Sequence, residues 1–402
     1  MHQNKKISLL KKERKTDYYD YNLIAVIILL MGFGLVMLYS TTAYTASLRF
    51  GDDMKYFTKQ GGVALAAIAV CILLSLVSHR MLQYFAILMY LVSIALLILV
   101  RTPLGAEING ARRWLRIGPV QFQPAEFTKI AVIVFIPYMI VKMGRDFERL
   151  ANTLVVIGAG LVQALFVLFL TRNLSSAIII MLITMVMVFV AHPRSKPFLI
   201  AGLLMVLLSV GLVLFISQTN PADVGYRFNR IRVWLKPEQY ASGGGYQIMQ
   251  ALYALGSGGI LGKGLGNGTQ KLGSVPEAEN DMIFSIICEE LGVFGGLVII
   301  LLFIYLLYRL FFIAQNAPDL FGALMVTGIF GHIAAQVVLN ICVVLNVIPT
   351  TGITLPFVSY GGTSVLLLMA EMAIALSVSR SIQFKRPERD LWGDVVRTRS
   401  PR

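Results

Sequence analysis

Charge is scarce in this chain: 14% of its 402 residues are Asp, Glu, Lys or Arg, while 57% are hydrophobic. So small a charged complement cannot cover one water-soluble globule. The apolar residues also come in blocks instead of the 3.6-residue stripes of a surface helix, which excludes a soluble domain and requires a polytopic membrane protein. Cysteine is rarer still, with three, and Cys71, Cys288 and Cys342 each fall inside an apolar run. An odd number placed this way supports no disulfide framework, metal site or nucleophile, and fits small buried hydrophobes. There are four histidines. His332 has no second histidine near it in sequence, so it reads as a hydrogen-bonded packing residue before it reads as a ligand. Acid is the minority charge, 21 residues against 35 Lys and Arg, and membrane topology accounts for that excess without nucleic acid as a partner.

A helix needs about 20 residues to cross the hydrocarbon layer. Ten runs qualify or nearly so: 22–45, 58–78, 81–100, 124–141, 150–170, 174–191, 197–217, 282–308, 320–346 and 362–382. The expected fold is therefore an all-α polytopic membrane protein of about ten transmembrane helices. A basic tail occupies 1–21, a membrane domain 22–382 and a second basic tail 383–402, with the longest loop, 218–281, between helices 7 and 8. The first run follows Lys5, Lys6, Lys11, Lys12, Arg14 and Lys15 as a signal peptide would. No clear Ala-x-Ala site comes after it and nine further spans do, so it reads as a retained signal anchor. An even number of spans puts both basic tails in the cytoplasm, together with Lys142, Arg145 and Arg149 and with Arg194 and Lys196.

Two segments on the opposite side break that rule: 101–123 carries Arg101, Arg112, Arg113 and Arg116, and 218–281 carries Arg227, Arg230, Arg232, Lys236, Lys263 and Lys271. Such cations either meet anionic headgroups or bind an anionic substrate, and the second reading is favoured because the same loops hold dense glycine and acid. Trp114 among arginines marks an element lying on the membrane surface. Glu126 and Lys129, one turn apart, can pair, and pairing lowers the cost of both in lipid. Ion pair and substrate contact both stand for them.

In the long loop, Phe228, Ile231 and Leu235 at helical spacing predict an amphipathic helix over about 226–238. Behind it, a glycine run from Gly243 to Gly268 can present N–H groups to phosphates or be mobile. Gly262-Lys263 is not a Walker A loop, because Ser257 and Gly264 stand where that motif needs Gly and Ser or Thr. The loop closes on Pro276-Glu277-Ala278-Glu279-Asn280-Asp281, three acids at the start of an apolar span. Asp281 sits where a residue caps a helix, a role compatible with catalysis. Within the spans, Glu289, Glu290, Glu371 and His332 need a reason, and the first two fall close enough to Asp281 to share its polar cavity.

Asn109-Gly110-Ala111-Arg112-Arg113-Trp114, Gln123-Pro124-Ala125-Glu126-Phe127-Thr128-Lys129, Gly245-Tyr246-Gln247, Ala254-Leu255-Gly256-Ser257-Gly258-Gly259, Pro276-Glu277-Ala278, Asp281-Met282-Ile283-Phe284 and Pro356-Phe357-Val358-Ser359-Tyr360-Gly361-Gly362 occur in that order. Together they resemble the signatures of the SEDS family (FtsW and RodA) over nearly the whole chain. The stretches Gly32 to Ser40 and Gly352 to Phe357 look more like FtsW and its sporulation relatives than like RodA. The resemblance implies a multi-pass protein of the bacterial cytoplasmic membrane that polymerises lipid II into glycan on the outer face. It also implies a class B penicillin-binding protein and other division proteins as partners.

The family's catalytic aspartate maps onto Asp281, with Arg113, Glu126, Lys129, Gln247, Lys271, Glu277 and Ser359 as substrate-binding candidates. Arg113, Lys129 and Lys271 are the expected pyrophosphate ligands. No cofactor is identified and no metal-ligand cluster is evident, although a divalent cation could share the phosphate. Where the family carries an acid after the fifth span, this chain has Asn173, which cannot serve as a base. The rival reading is a flippase whose path is lined by Glu289, Glu290 and Glu371. Against it, no pair of interrupted spans is evident in matching halves.

Overall fold

The computed structural model describes residues 16–108, 111–118, 120–218, 226–273 and 275–384. The basic clusters from Lys5 to Lys15 and from Lys385 to Arg402, the Asn109-Gly110 pair, and the side chains of Arg227 and Phe228 lie outside them. Among the described residues ten helices are long and apolar enough to cross a membrane. The first seven are α1 (Tyr21–Phe50), α2 (Lys55–Ser75), α3 (Leu82–Leu99, after a short turn at His79–Met81), α4 (Pro124–Met143), α5 (Leu150–Leu170), α6 (Leu174–Ala191) and α7 (Lys196–Gln218). Two shorter helices, α8 (Tyr226–Leu235) and α9 (Tyr246–Gly258), precede α10 (Ile283–Asn316), α11 (Leu320–Val344) and α12 (Gly362–Arg380).

All ten expected spans are present, and two outrun their hydropathy. Helix α1 continues to Phe50 because its polar residues bond inward: Thr42 Oγ1 donates to the Leu38 carbonyl at 2.7 Å and Thr45 Oγ1 to that of Thr42 at 3.0 Å. It stops at Gly51, whose left-handed φ of 70° lets its N–H return to the Ser47 carbonyl. Helix α10 continues to Asn316 but is interrupted at Gly292 (φ 69°, ψ −169°).

Besides these helices the described residues hold two small antiparallel sheets, the larger of them in the loop between α3 and α4. Residues 105–122 form a three-stranded antiparallel sheet, β2 (Gly105–Ile108), β3 (Ala111–Ile117) and β4 (Val120–Phe122), in that spatial order. In β3, Leu115 is buried while Arg112 and Arg116 are exposed. That two-residue alternation marks a strand, and an eye tuned to helical spacing misses it.

Successive spans alternate direction, so the connections gather at two ends. One end holds 51–54, the sheet, 171–173, residues 226–273 and 275–282, and 345–361. The other holds the termini, where β1 (Thr16–Asp17) pairs antiparallel with β5 (Gln383–Phe384). A buried ion pair supports that pairing: Arg309 near the end of α10 reaches Asp20, the N-cap of α1, at 2.7 Å. At the same end His79 and Arg80 meet Asp319, the N-cap of α11, at 3.2 and 3.0 Å.

Burial is unequal among the spans. In its most apolar window 61% of α12 is buried and 56% of α4 and α11, against 6% of α7. Leu203, Leu204, Leu207 and Leu208 on α7 are exposed, as hydrocarbon requires of a peripheral helix. Helices α4, α11 and α12 therefore form the centre and carry the buried Lys129, His332, Gln336, Asn340 and Glu371.

Candidate functional site

Asp281 lies one residue before Met282, the N-cap of α10. The expected cap role is not observed: α10 has no side-chain cap bond, and the Asp281 carboxylate faces Gln247 of α9, whose Nε2 donates to Oδ1 at 3.3 Å. The turn that carries it is tight. Glu277 adopts φ 55°, unusual for a residue with a side chain, and its carbonyl accepts from Asn280 N at 3.0 Å.

Two distant segments hold that turn. From the loop before α12, Ser359 Oγ donates to the Asn280 carbonyl at 2.6 Å and Tyr360 N to the Glu279 carbonyl at 2.9 Å. From α11, Asn340 Nδ2 donates to the Asp281 carbonyl at 2.8 Å and to that of Ile353 at 2.7 Å. Asp281 is 8% exposed. Burial above all, then the charge of Glu277 and that of Glu279, pushes its carboxyl up from 3.8 to about 7, partly offset by its own N–H and by Gln247. A carboxylate poised near neutrality can take a proton at the pH of the cell.

Glu289 and Glu290, expected to share this cavity, belong to a different structure. Glu289 accepts from Lys263 Nζ at 2.7 Å and from the N–H groups of Thr269 and Gln270 at 2.9 and 3.2 Å. Glu290 accepts from Lys271 Nζ at 2.6 Å, Ser40 Oγ at 2.7 Å and Gly266 N at 3.1 Å. Lys271 is 7% exposed, and its ammonium also meets Ser40 Oγ and the Gly266 carbonyl, both at 2.8 Å. Its three donors are thus occupied, and the expectation that Lys271 holds pyrophosphate gives way to a role in pinning the loop. Of the glycine run, Gly266 N turns to the Glu290 carboxylate, while Gly262 N and Gly264 N bond the backbone carbonyls of Gly258 and Glu290.

The same loop fills the break in α10. Val293 N and Phe294 N donate to the Gly259 and Ile260 carbonyls, while Lys263 N and Gly264 N bond those of Glu289 and Glu290. One interrupted span, which the sequence did not reveal, is therefore sealed by protein.

Among the cations expected to meet substrate, Arg113 in β3 reaches the Arg172 carbonyl at 3.3 Å and leaves its buried Nε without a partner. Burial and the facing charge of Arg230 on α8 lower its pKa. A partly buried guanidinium with an unpartnered Nε and a second cation facing it is suited to an anion. Two neighbouring arginines are engaged within the chain: Arg101, before the sheet, with the Phe169 carbonyl at 2.6 Å and Arg112 of β3 with Glu107 at 3.3 Å. Asn173 caps α6 by accepting from Ser176 N at 3.1 Å.

Glu126 and Lys129 form the expected pair, 2.8 Å apart and almost fully buried. Glu126 also accepts from Ser364 on α12 and lies within electrostatic reach of His332 on α11. His332 in turn bonds Glu371 of α12 at 2.8 Å. Among the described residues no three His, Cys, Asp or Glu side chains converge as a metal site, and the three cysteines are free.

Residues 20–383 match the FtsW/RodA/SpoVE family model, described as cell cycle proteins. The chain is 37% identical to the stage V sporulation protein E of Bacillus subtilis, covering 90% of this chain and 97% of the relative. It is 34% identical to the probable peptidoglycan glycosyltransferase FtsW of the same organism, covering 94% of each, and 35% identical to that of Trichlorobacter lovleyi, covering 94% and 97%. Among solved structures it is similar to a chain of a peptidoglycan synthase complex that coordinates polymerization and crosslinking, with TM-score 0.74, 29% identity and coverage of 90% and 98%. It is also similar to the rod shape determining protein RodA of Thermus thermophilus, with TM-score 0.65, 27% identity and coverage of 90% and 97%.

Proposed function

The chain belongs to the FtsW/RodA/SpoVE family of cell cycle proteins, and from that premise we propose that it is a peptidoglycan glycosyltransferase that polymerises lipid II on the outer face of the cytoplasmic membrane. The observation that carries the assignment is Asp281: buried, without a salt bridge among the described residues, and poised near pH 7 at the connection-rich end of the bundle. A sugar hydroxyl of one chain attacks the anomeric carbon of another. As the new carbon–oxygen bond forms, the bond to the polyprenyl pyrophosphate breaks, the hydroxyl proton passes to Asp281, and the pyrophosphate leaves with the bonding electrons. A single direct displacement inverts the anomeric carbon. Because pyrophosphate leaves as a stable anion, one carboxylate suffices where glycoside hydrolysis needs two.

Arg113 and Arg230 are assigned to the pyrophosphate, and Gln247 orients the base. Glu277 raises the base's proton affinity. Ser359 acts through the backbone of the Asp281 turn rather than on the substrate. The Glu126–Lys129 pair extends the polar surface inward. The resemblance of Gly32 to Ser40 and of Gly352 to Phe357 to FtsW supports work at the division septum beside a class B penicillin-binding protein. The RodA-type elongation and sporulation roles are its alternatives. A flippase is disfavoured, because the sole break found among the described spans is sealed by the loop at 259–264.

The test supplies the purified protein with labelled lipid II, alone and with a candidate class B penicillin-binding protein, and resolves the products on a gel. Glycan ladders are expected; lipid movement without polymer in either arm would replace the enzyme with a transporter.

A further inference from the structure

Three residues of α11, His332, Gln336 and Asn340, follow one another at intervals of four and share one face of the helix. All three are buried, at 1%, 3% and 1% exposure. Each grips a different piece of the molecule. Asn340 donates to the carbonyls of Asp281 and Ile353, Gln336 donates to the Thr354 carbonyl at 3.0 Å, and His332 bonds Glu371 and faces Glu126. The stripe spans about 12 Å of helix, from the Asp281 turn to the charged cluster inside the bundle.

Each of the three also leaves one buried polar atom without a partner: His332 Nε2, Gln336 Oε1 and Asn340 Oδ1. A stripe that merely packed α11 would avoid that cost with leucine. What these side chains add is registration. The segment 353–361 is held from below by Gln336 and Asn340, and it in turn holds the Asp281 turn through Ser359 and Tyr360.

We propose that His332, Gln336 and Asn340 are positioning residues, a polar rail on α11 that fixes the Asp281 carboxylate in its buried setting and ties it to the Glu126–Lys129 pair. The inference rests on the reading of Asp281 as the base for its kinetic consequence, but not for its structural one. Freed from Asn340, the Asp281 turn relaxes toward water, and the carboxyl falls back toward its ordinary value of 3.8. Gln247 from α9 and Glu277 and Glu279 from the turn still face it, so the change reports on burial, its largest cause.

The experiment uses the full chain in lipid nanodiscs and measures the pH dependence of Asp281 modification by dicyclohexylcarbodiimide, which labels protonated buried carboxyls, read site by site by peptide mass spectrometry. In the wild type the labelling midpoint is expected near 7. In Asn340→Leu it falls toward 3.8, and kcat for lipid II polymerisation drops by about 10²-fold with KM unchanged, the scale of a misplaced reacting group. Gln336→Leu, one turn from Asn340 and with no hydrogen bond to Asp281, shifts the midpoint the same way by less, and decides the matter if Asn340→Leu fails to insert. An unchanged midpoint in the folded variants overturns the rail. Polymerisation by Asp281→Asn would overturn the base assignment instead and leave the labelling result to judge the rail alone.

Discussion

Asp281 and the Glu289–Glu290 pair lie within ten residues of one another at the same end of the bundle, yet they have opposite fates. The glutamates, each 0% exposed, are met by Lys263, Lys271, two hydroxyls and three backbone N–H groups. Asp281, also buried, is met by one side-chain amide and by two like charges. The difference teaches what a buried acid is for. A carboxylate surrounded by cations, hydroxyls and N–H groups fastens structure, while one met by a single amide and by like charges is held near its protonation point and is ready to exchange a proton. Burial alone does not distinguish them; the neighbours do.

The sharpest way to break the comparison is Asp281→Asn. Loss of a general base costs about 10²–10⁴-fold, so polymerisation of lipid II on a gel should fall by that much. Because Asp281 does not cap α10, thermal stability should hold or rise. In the wild type the base must be ionised, so turnover should climb as pH rises through about 7. Stability runs the other way. The folded form binds this proton more tightly than the unfolded one, so the contribution of Asp281 to stability is lost as pH rises from 3.8 toward 7. Asp281→Asn should remove that slope.

The glutamate side of the comparison breaks through its cations. Lys271→Met strands Glu290 without its counter-ion, which costs about 3–5 kcal/mol for a buried pair and should appear as a lower melting temperature in detergent. Lys271→Met with Glu290→Met should recover most of the loss, because both charges then leave together. Polymerisation per folded molecule that stayed at the wild-type level in the double variant would place Lys271 outside the chemistry. A selective rise in KM would return it to the pyrophosphate.

Arg113→Gln removes one charge-assisted contact, a loss of about 1–3 kcal/mol. It should raise KM for lipid II without altering melting, with Arg230→Gln acting alike. The smallest effect is expected at Lys263, whose side chain is 29% exposed. Lys263→Met should lower stability by about 1 kcal/mol, since water screens that pair.

Much of this was legible in the sequence and some was not. The ten spans, the presence of a helix within 226–238, observed over Tyr226–Leu235, and the pairing of Glu126 with Lys129 all follow from local spacing, although Leu235 is exposed and Arg232 buried against the expected apolar face. The sheet at 105–122 was missed because its two-residue alternation is short and masked by arginines. Helix α9 was missed because glycines on both sides of it read as one loop. Within the site, Asp281 and Gln247 were named in advance, and the structure brings them together. Asn340 and Gln336 were not, since a single amide in an apolar span carries no signal until its partner is known. The pairing of Lys271 with Glu290 is not legible in the sequence, because a cation in a loop looks the same whether it faces solvent or a buried glutamate.

What the sequence by itself determined is the membrane character, the number of spans and the family, because hydropathy and motif order are sums over neighbours along the chain. Only the tertiary structure decided which acids are neutralised and which is left free. A carboxylate's state depends on the groups within hydrogen-bonding distance, and for Glu290 one of these is Ser40, 250 positions away. No local pattern encodes that contact; it exists because α1 and α10 pack together and a glycine-rich loop closes over them.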